Sequence, residues 1–333
     1  MRKHHSIQKA IDKASRGTRI VVEAGTYAEQ ITIRTDGITL IGKGAILTPP
    51  EHPVKNPCSG FAGPDSQAGI CIAGKGIKTS DFKVEHKKVL SVRKPVCDVS
   101  VTGFQVQGFK CFNILVIGAD NAYVHHNKLK DGGAYGFLTA GSTNTHVSAN
   151  EITSAQTSFI GLCMDNFSRV KVTENKIDNY YIGLCIQTNG AEVVDNEVSH
   201  ACFGAFVDPG VKGVYLGGNK MTSAIEKCGA LGASGILLDG SIKARVEHNF
   251  VSGWKSDGPA SGIGIVDDPC NSPIPSLACL ALGKPAIATG NVVVGNILKN
   301  NALDIYKNTT GRGNDVQWNK CSTSVPKRLC GRH

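Results

Sequence analysis

Between residues 104 and 319 one short phrase keeps returning: an apolar residue, two small or polar ones, asparagine, any residue, then another apolar one. It reads VSANEI at 147–152, VTENKI at 172–177, VVDNEV at 193–198 and YLGGNKM at 215–221. The column holds Asn127, Asn150, Asn175, Asn196, Asn219, Asn249, Asn296 and Asn319, with Phe104 in the same place one turn earlier. Most steps are 21 to 25 residues; steps of 30 before Asn249 and 47 before Asn296 mark insertions, the second containing residues 270–290. A period in the twenties fits a leucine-rich repeat or a parallel β-solenoid. Leucine-rich repeats need several leucines at fixed offsets, whereas these units carry Val, Ile, Gly, Cys and Asn between short β-prone runs, so the pattern predicts a solenoid. Its coils stack at about 4.8 Å. Asparagine then serves as a corner post, tolerating left-handed backbone and passing an amide hydrogen bond to the next coil.

A second aligned element follows each corner: GFLTA from 136, GLCMD from 161, GLCIQ from 183, GAFVD from 204, GILLD from 235 and GIGIV from 262. Alternation along a strand sends second and fourth positions inward and places the third and fifth on one outer face. The fifth positions are Ala140, Asp165, Gln187, Asp208, Asp239 and Val266, followed by Asp267 and Asp268, so an acidic column is predicted along one edge. Cys163 and Cys185 fall one coil apart beside it, to bond or to stack as buried thiols. Four residues beyond the acids come Arg169, Lys212 and Lys243. These either pair with the acids across each turn or neutralise the carboxylates of a bound sugar chain.

The N-terminal segment predicts a capping helix over residues 6–15, with Ser6 as N-cap, Ile7, Ala10, Ile11 and Ala14 on one face, and Gly17 as terminator. It would plug the open end of the stack. This helix followed by GTRIVVEAGTYAEQITI resembles the opening of the pectate lyase and pectin methylesterase superfamily of right-handed β-helix proteins. The expectation is an all-β, single-stranded right-handed parallel β-helix, residues 1–333 forming one domain with an irregular cap at 320–333.

Composition refines this picture. The 39 glycines and 6% aromatic content oppose a helical bundle. No run approaches a membrane span, so no membrane insertion is expected. Twelve cysteines are many for a reducing compartment, and the chain reads as secreted, with its signal removed and Met1 added for expression. Close-range pairs are Cys58 with Cys71, Cys202 with Cys228, Cys270 with Cys279 and Cys321 with Cys330. Two sequons, at Asn166 and Asn308, are compatible with glycosylation. The net charge of +9 attracts an anionic partner; the cations are dispersed and no nucleic-acid motif accompanies them, so an acidic polysaccharide is expected.

Two enzymatic readings and one binding reading arise. Elimination or carbon-5 epimerisation of a uronate needs its carboxylate neutralised and a base beside the neighbouring proton; Arg169, Lys212, Lys243 and Arg245 would neutralise, with Ca²⁺ held by Asp208 and Asp239. AYGFLTAG at 134–141 begins like the Tyr-Gly-Phe-Asp-Pro-His signature of alginate epimerases, with Leu138, Thr139 and Ala140 in place of Asp-Pro-His. Inverting glycoside hydrolysis would use Asp239, Asp267 and Asp268; LLDGS followed by VDDPC resembles the polygalacturonase pattern, with Leu237 and Leu238 in place of Asn-Thr and a Pro within Asp-Asp-Cys. The third reading is a non-catalytic, glycan-binding or adhesive solenoid. Asp165, Gln187 and Tyr181 are candidate substrate contacts, Tyr181 by stacking on a sugar. His125, His126 and His248 read as structural.

Overall fold

The computed structural model describes residues 6–273 and 275–330; Met1 and residues 331–333 of the expected C-terminal cap lie outside them. The chain winds as a right-handed parallel β-helix. Its strands form a thirteen-stranded and an eighteen-stranded sheet, joined in parallel register. In the narrower sheet Val172 pairs with Val193 and Val193 with Leu216, and in the wider one Ile177 pairs with Val198 and Val198 with Met221. The apolar residues of every coil therefore stack on their equivalents above and below, and one continuous core of Val, Ile and Leu fills the bore. Burial of aligned apolar side chains is the main stabilising term.

The asparagines form the expected ladder. Asn196 Oδ1 accepts both the backbone N–H and the Nδ2 amide of Asn175, each at 3.0 Å, while its own Nδ2 donates to the carbonyls of Val172 and Val194 at 2.9 and 3.1 Å. The same exchange runs from Asn127 to Asn319, and Phe104 donates its N–H to Asn127 Oδ1 at its head. The left-handed residue, however, is the one before each asparagine: His126, Ala149, Glu174, Asp195, Gly218, His248, Gly295 and Trp318 all have φ between 51° and 67°. The corner is turned one position earlier than expected, and the asparagine is selected for the amide that satisfies buried backbone groups.

The glycines opening the second element mark a bend at which coils touch. A Cβ on Gly183 would lie 2.4 Å from Val198 Cγ1 and 2.8 Å from the carbonyl of Gly204, and Gly161 and Gly235 are equally crowded. Second and fourth positions, such as Leu184 and Ile186, point into the bore as the alternation requires.

The capping helix α1, Ile7–Asp12, is shorter than expected. Ser6 caps it by accepting the Lys9 N–H, and Ile7 and Ile11 are buried; the chain leaves the helix at Lys13, and Gly17 turns it into the first strand. All four close-range disulfides form, and Cys163 is bonded to Cys185. Residues 267–291 hold a second helix, α2 (Leu277–Leu282), stapled by the Cys270–Cys279 bond.

One excursion was unforeseen. Thr39 pairs with Ser100 in the next coil of the narrower sheet, so some sixty residues intervene where about two dozen complete a coil. Within the stretch between 49 and 95, Ala68–Ala73 is itself a strand of the wider sheet, paired with Ile31–Ile33 and Phe112–Ile117; the remainder packs over that sheet's outer face and includes an antiparallel hairpin, Lys75–Thr79 with Val89–Lys94. Beneath it the third-position residues Leu138, Cys163 and Cys185 join Cys58, Phe61 and Cys71 in a second apolar core.

Candidate active site

The acidic column stands in register. Ala140 pairs with Asp165, Ile186 with Val207, Val207 with Leu238, and Asp239 with Val266, which stacks Asp165, Gln187, Asp208 and Asp239 on successive coils. The tip of the hairpin excursion lies across this column and contributes three side chains. Lys88 makes an ion pair with Asp165, His86 Nε2 lies 3.4 Å from the same carboxyl while its Nδ1 is 3.1 Å from the Tyr135 hydroxyl, and Glu85 accepts the Gln187 Nε2 amide at 2.8 Å. Glu85 also accepts the N–H of Leu277 at 3.2 Å, so the excursion and α2 meet above the acids.

Each acid has its own environment. Asp165 is only 4% exposed; paired with Lys88 and His86, it anchors the excursion instead of facing a sugar. Asp208 is 3% exposed and takes the other Gln187 amide hydrogen at 2.9 Å. Burial, and then the charges of Glu85 and Asp239, hold its carboxyl well above the usual range against the opposing Gln187 hydrogen bond and Lys88 charge. Asp239 is half-buried; burial, followed by the charge of Asp268 and a hydrogen bond shared with it, pushes its carboxyl up to about 8. Asp239 is therefore a neutral acid at pH 7, and it remains open at the edge of the covered column.

Asp267 serves the fold. Its Oδ1 accepts the Ala288 N–H at 2.9 Å and the Thr309 hydroxyl, and its Oδ2 accepts the Thr310 N–H and hydroxyl at 2.7 and 2.8 Å. Burial alone would raise this carboxyl, yet those donors hold it below the ordinary range. Asp268 instead accepts the Cys270 N–H at 2.7 Å and faces Asp239. A hydrogen-bonded Asp239–Asp268 pair is too close to frame a water for inversion, which takes carboxyls roughly 6.5–9.5 Å apart. Asp208 and Asp239 each follow directly after a paired residue, Val207 and Leu238, on neighbouring coils, whose backbones stack about 4.8 Å apart.

The basic column does not join the acids. Arg169 and Lys243 occupy exposed left-handed positions on the far side of the turn, Lys212 is exposed beside them, and Arg245 lies on the narrower sheet paired with Glu247. Among the described residues none of these cations bonds to Asp165, Asp208 or Asp239. Four residues beyond an acid, the chain has already rounded the corner onto another face. Tyr181 packs edge-on against Phe203 and donates its hydroxyl to the Cys228 carbonyl at 3.5 Å, fixed under a loop. The Asn166 sequon is buried as well: Asn166 Oδ1 accepts the Thr139 hydroxyl and its Nδ2 donates to Thr145. Asn308 is exposed, but Thr309 of its sequon is bonded to Asp267.

Calcium takes about six to eight oxygens, and the donors here do not build such a cage. The group whose ligand atoms lie near enough to share an ion among the described residues is Asp268, Cys270 and Cys279, and its two sulfurs are joined to each other.

The residues that sequence reading missed are Glu85, His86 and Lys88. They sit in a stretch with neither the asparagine nor the glycine column, and the one signal they leave is that gap in the period.

The right handed beta helix region matches residues 65–228 and 112–277, together most of the chain. The chain belongs to that family. The β-helix is similar in fold to DFA-IIIase from Arthrobacter chlorophenolicus A6, at 14% identity and TM-score 0.56 over 92% of this chain and 86% of that one. It is also similar to the A-module of the mannuronan C-5 epimerase AlgE4 of Azotobacter vinelandii, at 11% identity and TM-score 0.51 over 96% and 94%, and to the periplasmic alginate epimerase AlgG, at 12% identity and TM-score 0.55 over 96% and 83%. Among curated proteins none matches the β-helix. Identities this low establish shared architecture alone.

Proposed function

We propose that this β-helix is a secreted carbohydrate-active enzyme that breaks a glycosidic bond, with Asp239 as proton donor and Asp208, one coil away, as the second carboxyl. The carrying observation is Asp239: partly open, raised to about 8 by burial and Asp268, and stacked on another carboxyl. Glycosidic oxygen is a poor leaving group until protonated, and an acid that keeps its proton at neutral pH is suited to protonate it. After burial, the charges of Glu85 and Asp239 help to hold the Asp208 carboxyl up, and those of Asp268 and Asp267 do the same for Asp239. When Asp239 gives its proton to the leaving oxygen the glycosidic C–O bond breaks; the carboxylate it becomes steadies the positive charge on the sugar, and a water adds to that carbon and returns a proton to Asp239.

Elimination or epimerisation has less support. It requires cations facing the substrate carboxylate, whereas Arg169, Lys212, Lys243 and Arg245 lie around the corner and Lys88 is taken by Asp165. The reading persists as an alternative because two fold relatives are named as alginate epimerases. An acidic polysaccharide fits the net charge of +9, and the neutral Asp239 carboxyl weakens the repulsion of the column. Five disulfides suit an oxidising, extracellular setting, and no helix among the described residues is long and apolar enough to cross a membrane.

Incubation with neutral and uronate-containing polysaccharides tests this. New reducing ends without the ultraviolet absorbance of an unsaturated uronate are expected, with Asp239→Asn slowing turnover by roughly 10²–10⁴-fold and activity declining as pH rises past about 8. An unsaturated product would favour elimination, solvent-proton exchange without cleavage would favour epimerisation, and undiminished turnover in Asp239→Asn would remove the site.

A further inference from the structure

Two cavities open at the N-terminal end, away from the acidic column. The larger, of about 580 Å³, lies between α1 and the start of the excursion, and the smaller, of about 210 Å³, lies beside the root of the hairpin; Arg34 and Thr35 line both. The larger volume is within the roughly 300–1,000 Å³ typical of ligand clefts. Their charges are unbalanced in a specific way. In the larger cavity Glu29 is consumed by the helix N-terminus, accepting the Ser6 hydroxyl and the N–H groups of Ile7 and Gln8 at 2.8, 3.0 and 3.1 Å, and Asp12 accepts the Gln8 amide. In the smaller one Asp36 accepts the Cys97 N–H at 3.0 Å.

The cations have no such partners. Arg34, Lys55, Lys75 and Lys94 line these cavities and are exposed, and none forms an ion pair with a carboxylate among the described residues; Arg16 has a loose contact of 3.8 Å to Asp98. Five basic side chains thus border two cavities that share Arg34 and Thr35 in their walls and whose acids are already engaged. Asn56, on the wall of the larger cavity, adds an Nδ2 donor that no protein group accepts.

We propose that this double cavity is a binding site for an acidic polysaccharide, with Arg34 bridging its two halves and cations on either side meeting successive carboxylates. The site goes beyond the chemistry at Asp239 and does not depend on it: it would hold the enzyme on a polyanionic matrix whether or not the bond cleaved is in the same polymer. A single guanidinium contacting both halves favours an extended chain over a lone monosaccharide, and the hydrogen-bonding walls favour a hydroxylated polymer.

The test is equilibrium binding of an oligogalacturonate of defined length, compared with a neutral oligosaccharide of equal length, at low and at physiological salt. The probes are the intact protein, Arg34→Ala, the Arg34→Ala/Lys55→Ala pair, and Asp239→Asn. Arg34 and Lys55 are exposed, and circular dichroism verifies that the variants fold. The expected result is salt-sensitive binding of the acidic probe, weakened roughly tenfold or more in the double variant and unchanged in Asp239→Asn. Equal affinity in the double variant, preference for the neutral probe, or absence of binding by the intact protein would each overturn the proposal. Loss of binding in Asp239→Asn instead would relocate the polyanion to the acidic column.

Discussion

At the residue scale, the solenoid gives one kind of side chain opposite assignments. Asp165, Asp267 and Asp239 are all acids at or just beyond the end of one strand type, yet one is matched by Lys88, one is saturated by four donors, and one faces another carboxyl. Only the last is left with a proton to give. This has a stability consequence. The Asp239 carboxyl ionises near 3.9 when the chain is unfolded and near 8 when it is folded. Between those values the folded state binds more protons than the unfolded one, so stability is highest below about 4 for this group and is lost as pH rises towards 8. Asp239→Asn removes that slope. Urea unfolding at pH 5 and pH 8 is expected to show the variant gaining stability over the parent chiefly at the higher pH, on the order of a few kcal/mol at most, since a partly open carboxyl is partly screened. A variant equally stable to the parent at both would mean that Asp239 ionises normally.

At the scale of elements, the excursion is held onto the solenoid by its apolar underside and by the Lys88–Asp165 pair. Lys88→Met keeps the length of the stem but leaves a buried carboxylate with His86 alone. Removing one partner of a fully buried pair costs roughly 3–5 kcal/mol; Lys88 is partly exposed, so about 2 kcal/mol is expected, as a lowered denaturation midpoint. Faster proteolytic nicking of residues 80–88 should accompany it, and an unchanged nicking rate would show that the apolar underside alone holds the hairpin. These two elements also mark where the sequence was legible. The coils from Phe104 to Asn319 announce themselves because stacking demands the same residue type every turn: an asparagine whose amide satisfies the coil below, a glycine where a Cβ would collide, an aliphatic pair facing inward. The acidic column inherited that register and was placed correctly. Apart from its strand Ala68–Ala73, the excursion answers to no such repetition: Glu85, His86 and Lys88 each meet a different partner, so they were invisible. The basic residues failed for a related reason. Spacing along the chain is not proximity here, because the left-handed corner at Arg169 and Lys243 turns them onto another face.

At the scale of the whole molecule, a parallel β-helix is close to one-dimensional: each coil bonds to two neighbours, and its ends are where it frays. α1 closes one end, and Glu29 holds it there by accepting three donors from the first turn of the helix, including two otherwise unpaired backbone N–H groups. Glu29→Ala should weaken this cap by about 1–2 kcal/mol. Because coils interact only with their neighbours, the loss is expected to stay near the end. Amide hydrogen exchange should quicken over α1 and the coil carrying Val22 and Leu40, while rates around Asn175 to Asn249 hold steady. The Cys58–Cys71 bond and the second apolar core tie residues 49–95 to several coils at once, and act as a barrier to fraying from that end. Exchange that accelerated evenly from Ile7 to Asn319 would contradict this picture, showing the excursion to couple the stack into a single cooperative unit instead of leaving its N-terminal coil free to open alone.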